Sequence, residues 1–168
     1  MQRRSLLKLG LVSGAVLAVA GGAAVLWRPG IAQGRLTASA REVFASLGYA
    51  ILQGTLPSEP QARAQAVEGM VERVDVLLQN LPPHVQAELS QLLGLLCTAP
   101  GRFGLAGLVP AWADASEAQR QAALEGMRQS GLALRQQAYL GLHEIVGGAY
   151  FSDESTWASV GYPGPSIL

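Results

Sequence analysis

The sequence predicts an all-α fold: a small bundle of about four main helices with an extended aromatic C-terminal tail, preceded by an N-terminal signal helix. Apolar residues recur at intervals of three and four between Val43 and Ile145, the spacing that gathers them on one face of a helix. No segment alternates apolar and polar residues over strand length, as a half-buried strand would. Proline and glycine clusters at 54–60, 82–83 and 99–101 divide the pattern into pieces of helix length.

The chain opens Met1-Gln2-Arg3-Arg4-Ser5-Leu6-Leu7-Lys8. This is the twin-arginine arrangement with a leucine where an aromatic is usual, an address read by a receptor. Arg3, Arg4, Leu6, Leu7 and Lys8 carry it. From Leu9 to Trp27 there is no charge, and Gly10, Gly14, Gly21 and Gly22 dilute the run, which suits a mildly apolar signal core. As a helix these roughly 19 residues would reach about 28 Å, close to the ~30 Å of a bilayer core, so an uncleaved anchor is the competing reading. The small residues of Gly30-Ile31-Ala32 place the expected cut after Ala32. That gives a signal over 1–32 and a single helical domain over 33–168, with its tail over 149–168. Both readings put the domain in the periplasm, free or tethered.

Ser39 to Glu42 fits a capping box, and Val43, Leu47 and Ile51 follow at intervals of four, so a first helix is expected to end near Gln53-Gly54. Ser58-Glu59-Pro60 opens a second, with serine as cap and proline in the first turn; Val67, Met70, Val71, Val74, Leu77, Leu78 and Leu81 form its stripe, and Pro82-Pro83 ends it. A third helix is expected from His84 to Cys97 and is stopped by Ala99-Pro100-Gly101. Residues 102–110 lack a clean period and read as a packed loop or broken helical turn. Ser116 to Gln119 is a second capping box. The stripe Ala123, Met127, Gly131, Leu134, Ala138, Leu142, Ile145 then predicts one long helix ended by Gly147-Gly148. Gly131 lies on that stripe, which calls for a close neighbour or a kink near Ser130.

Composition excludes several function classes. Removing residues 1–32 leaves eight arginines against twelve acids, a net charge of about −4 that argues against nucleic-acid binding. Glu68, Glu72 and Asp75 share a helical stretch and read as a solvated face. Cys97 is the only cysteine, so no internal disulfide forms, and its apolar neighbours make it a small buried hydrophobe. His143-Glu144 begins like a zinc-protease helix, but glycine stands at 147 where the second histidine belongs. His84, the other histidine, follows Pro83 at a helix start and reads as exposed. Gly101, Gly104 and Gly107 follow a predicted helix rather than a strand, so no dinucleotide or phosphate loop is formed. No cysteine set for haem or an iron–sulfur cluster exists. No catalytic, cofactor-binding or metal residues are proposed; about 136 residues remain for one core.

The tail concentrates Tyr150, Phe151, Trp157 and Tyr162. Asp153 suits the cap of a single helical turn carrying Trp157, Gly161 its left-handed end, and Pro163 and Pro165 an extended run without strand pairing. Such a tail should lie across a surface. With the twin-arginine start and the first helix running from Leu47 into Pro57, the run Tyr150-Phe151-Ser152-Asp153, then Trp157-Ala158-Ser159-Val160-Gly161-Tyr162-Pro163-Gly164-Pro165, resembles the gluconate 2-dehydrogenase subunit 3 family. These are small, signal-bearing subunits of membrane-associated sugar and alcohol dehydrogenases. Only the tail is specific; Arg63 to Trp112 matches in helical character alone, and Phe151 stands where a second tyrosine is common.

The resemblance implies a non-catalytic subunit that binds, stabilises and co-exports a flavin-dependent large subunit of the glucose-methanol-choline type through the twin-arginine translocase. FAD would belong to that partner, with a cytochrome c subunit as an optional further member. Tyr150, Phe151, Trp157, Gly161, Tyr162, Pro163, Gly164 and Pro165 are the candidate partner-binding or tail-docking residues. A membrane-tethered periplasmic interaction protein with another partner is the alternative, and an unrecognised periplasmic enzyme the third reading.

Overall fold

A computed structural model of the protein describes residues 29–164; the signal residues Arg3, Arg4, Leu6, Leu7 and Lys8, and Pro165 at the other end, lie outside them. Within this range the chain is all-α apart from one hairpin. Strands β1 (Ile31–Ala32) and β2 (Arg35–Leu36) pair antiparallel, with Ile31 opposite Leu36. At two residues each they are too short to show alternation, which is why the sequence pattern missed them. Gln33 and Gly34 form the turn, both at positive φ (52° and 73°), the backbone sense that matches the twist of a two-residue hairpin. Gly30 and Ile31, which lie before the boundary expected after Ala32, are bonded to Ser90 of the third helical segment.

Helix α1 (Ala38–Ile51) is capped by Thr37, whose Oγ1 accepts from the Ala40 N–H at 3.4 Å. The expected cap, Ser39, lies inside the helix. Thr37 wins because the hairpin holds it: its N–H and hydroxyl both donate to the Gly30 carbonyl, at 2.9 and 3.2 Å. Helix α1 is central, packing against α2 (Pro60–Gln79), α3 (Pro83–Cys97), α5 (Glu117–Arg128) and α6 (Ala133–Phe151). Its inward residues Val43, Phe44 and Leu47 are almost wholly buried, and losing one large core side chain typically costs about 2–5 kcal/mol.

The cap of helix α2 (Pro60–Gln79) lies one residue after the expected one. Glu59, not Ser58, accepts from the Gln61 and Ala62 N–H groups at 3.0 and 2.6 Å, which holds its carboxyl below its usual range. A carboxylate there also meets the positive end of the helix dipole. Val67, Met70, Val71, Val74 and Leu78 are buried along it as the stripe predicts, whereas Leu77 and Leu81 are half-buried. Gly48 of α1 sits under Met70, where a Cβ would strike the thioether methyl.

Pro83 occupies the first turn of α3, which buries Val85, Leu89, Leu92, Leu93 and Leu96. The helix ends at Cys97 as expected, but Ala99-Pro100-Gly101 also opens a further helix, α4 (Ala99–Ala106). Thr98 serves both helices, donating to the Leu95 carbonyl at 2.9 Å and accepting from the Gly101 N–H at 3.2 Å. Pro100 falls in the first turn, where a missing N–H costs nothing. Gly107 ends α4 at φ 68°, and buried Arg102 donates to the Leu108 and Val109 carbonyls at 3.3 and 3.0 Å, folding the following loop back. Half of the stretch expected to be irregular is thus helix.

Ser116 makes the full capping box of α5 with Gln119. The long helix expected from there is broken at Gln129–Leu132, giving α5 and α6 instead of one rod. Ser130 Oγ accepts the Leu132 N–H at 3.2 Å and Gln136 Nε2 donates to the Ser130 carbonyl at 2.7 Å. Arg135 Nε donates to the Leu105 carbonyl at 2.6 Å, tying the start of α6 to α4. A Cβ at Gly131 would meet nothing within 4 Å, so chain reversal rather than a close neighbour explains its place there. The apolar stripe runs on across the break because α5 and α6 pack on each other. Helix α6 continues through Gly147 and Gly148, its expected end, since Ala149 and Tyr150 are buried in its last turn. Six α-helices and a short 3-10 helix (Glu154–Val160) among the described residues replace the expected four.

Candidate functional site: the C-terminal aromatic tail

The tail is built from the end of α6 outward. Tyr150 points inward at 3% exposure, and its hydroxyl donates to the Thr55 carbonyl at 3.3 Å. Burial raises its phenol above the ordinary range; Asp153 adds to this, while Arg73 and the bond to Thr55 oppose it. Phe151 is half-buried and meets Tyr150 edge to face, ring centroids 5.1 Å apart.

Asp153 then caps the 3-10 helix: Oδ1 accepts from the Ser155 N–H at 3.0 Å and from its hydroxyl at 2.7 Å. Oδ2 accepts from an Arg73 guanidinium N–H at 3.2 Å, and Arg73 Nε donates to the Ala149 carbonyl at 2.7 Å. The two Ser155 bonds chiefly hold the Asp153 carboxyl below its usual range, against the opposing effect of desolvation and with a lesser contribution from Arg73. Thr156 Oγ1 donates towards the Tyr150 and Asp153 carbonyls at 3.2 and 2.7 Å.

Trp157 is half-buried, with its indole N–H donating to the Phe151 carbonyl at 2.8 Å. Its ring lies edge-on to Tyr162, centroids 5.3 Å apart, an arrangement aromatic quadrupoles favour. Gly161 ends the 3-10 helix at φ 71°, and the Tyr162 N–H returns to the Trp157 carbonyl at 3.1 Å. Gly164 lies against the Trp157 ring, which an added Cβ would touch at 3.7 Å. Pro163 is exposed.

Tyr150 lies in the core and Phe151 packs against it, Trp157 is tied to the end of α6 through the Phe151 carbonyl, and Tyr162 (49% exposed) and Val160 (52%) face outward. Sequence reasoning missed Arg73, which stands 80 positions before Asp153 and carries no local signal. It also read Asp75 as solvated with Glu68 and Glu72. Those two are exposed, but Asp75 is buried, accepting the Leu36 N–H at 2.7 Å and pairing with Arg41.

Among the described residues no three or more His, Cys, Asp or Glu side chains are grouped to hold an ion, and no helix is long and apolar enough to cross a membrane. His84 and His143 are both exposed. An open cleft of about 350 Å³ is lined by Tyr49, Ser58, Pro60, Arg63, Glu117 and Arg120. There Arg63 lies 5.5 Å over the Tyr49 ring and 3.9 Å from Glu117. Comparison of the chain with protein-family models, with curated proteins and with solved structures finds no match.

Proposed function

We propose that the chain is the small, non-catalytic subunit of a periplasmic flavin-dependent dehydrogenase of the glucose-methanol-choline type. It binds and stabilises the FAD-bearing large subunit and carries it through the twin-arginine translocase. The observation that supports this reading is the tail, whose sequence from Tyr150 to Pro165 resembles the gluconate 2-dehydrogenase subunit 3 family. Its self-docked aromatics leave Tyr162 and Val160 turned outward, and exposed aromatic area on a rigid support suits an interface anchor.

The reading is tested by export. Replacing Arg3 and Arg4 with lysine should strand both this chain and a flavin-dependent dehydrogenase in the cytoplasm, seen by fractionation and by flavin fluorescence of the periplasmic fraction. If this chain is retained while the flavoprotein still reaches the periplasm, the two do not travel together and the proposal fails.

A further inference from the structure

We infer that the exported protein keeps Gly30, Ile31 and Ala32, so that the bond between Ala32 and Gln33 is not where its signal is processed. The inference is independent of any dehydrogenase partner. The small residues of Gly30-Ile31-Ala32 look like a peptidase site in sequence, but the fold gives Gly30 another reason to be small. Its backbone is pressed on α3 so closely that a Cβ would collide with the Leu93 Cβ and come within 3.1 Å of the Ser90 carbonyl and 3.2 Å of the Gly94 nitrogen.

The same residue is bonded on both sides. Its N–H donates to the Ser90 carbonyl at 3.1 Å, and its carbonyl accepts from the Thr37 N–H and hydroxyl at 2.9 and 3.2 Å. Next to it, the Ile31 N–H donates to Ser90 Oγ at 3.1 Å, and the Ile31 side chain packs on the core. Strand β1 is thereby seated on α3, while β2 is seated on α2 through the Leu36 N–H and Asp75. The hairpin bridges two core helices and presents the cap of the central one.

Cutting after Ala32 would release the residues that make these bonds and leave the Ser90 carbonyl and the Thr37 donors to find other partners. The bond itself enters a two-residue turn with both central residues at positive φ, whereas an extended peptide bound as an added strand needs β geometry. A domain that folds before export would have formed this hairpin before any peptidase met it.

The test uses the full chain, exported by the producing cell and recovered from the envelope through an epitope at the exposed turn residue Gly131. Intact-mass measurement should show a first residue at or before Gly30, an untrimmed chain included. Any first residue from Ile31 onward overturns the inference. In a companion measurement, Gly30→Ala in the full chain should lower the melting temperature by about 3–10 °C through overpacking. An unchanged melting temperature overturns the claim that Gly30 is built into the core. If all of the chain stays in the cytoplasm, the export reading fails and this inference, which rests on it, falls with it, whereas an exported chain beginning at Ile31 or later overturns this inference alone.

Discussion

Several residues act through what they are paired with rather than through their type. Trp157 fills a half-buried site and spends its N–H on Phe151, so Trp157→Ala should cost about 2 kcal/mol, less than the 3–5 of a fully buried aromatic. Thermal melting should show a loss of about 4–8 °C; an unchanged midpoint would mean the tail is not pinned by this ring. Cys97 is half-buried, and burial, helped by Glu42 against Arg102, raises its thiol. Since the thiolate is the reactive form, a thiol reagent should label it slowly until denaturant is added, and rapid native labelling would contradict that placement. Asp153 has a lowered pKa in the folded state. Its contribution to tail docking is therefore present above the ordinary aspartate pKa of about 3.9 and lost as pH falls below it. Amide protection factors of residues 154–162 should drop in that acid window before those of α1; equal, pH-independent protection would exclude this latch.

At the scale of elements, cap chemistry decides where helices begin, and caps depend on tertiary neighbours as well as on local pattern. The Ser116 box was legible because both its bonds are made within four residues. The stripes of α1, α2 and α3 were legible because their spacing alone defines a face. The start of α1 was not, since Thr37 is positioned by Gly30 across the hairpin, and neither was the reversal at Gln129–Leu132, since both sides of the break keep one apolar stripe. Thr98 carries the joint between α3 and α4 with a single hydroxyl. Thr98→Ala should cost about 1–2 kcal/mol, read as a lower denaturation midpoint with an unchanged slope, whereas Thr98→Ser should restore most of it. If Thr98→Ala is neutral, α4 is held instead by Arg102 and Arg135. The tail's local plan was also readable, because Asp153, Gly161 and Trp157 act over a few residues, but its anchor at Arg73 comes from a distant helix.

For the whole molecule, the arrangement is a helical domain with α1 at its centre, a hairpin sealing one side and a docked tail presenting Tyr162 and Val160. The tail is where the resemblance to small dehydrogenase subunits concentrates, and the proposed partner-holding role rests on it. Its all-α class followed from periodicity alone, whereas its partner can be argued only from the tail residues. Isolating the chain from the envelope through an epitope at Gly131, then quantifying bound flavin, tests the proposed role. Near-stoichiometric FAD in a co-purifying large subunit, lost when Tyr162→Ala is introduced without a change in melting temperature, is the predicted result. Recovery of the folded chain free of flavin, alone or with a partner that carries none, would contradict it.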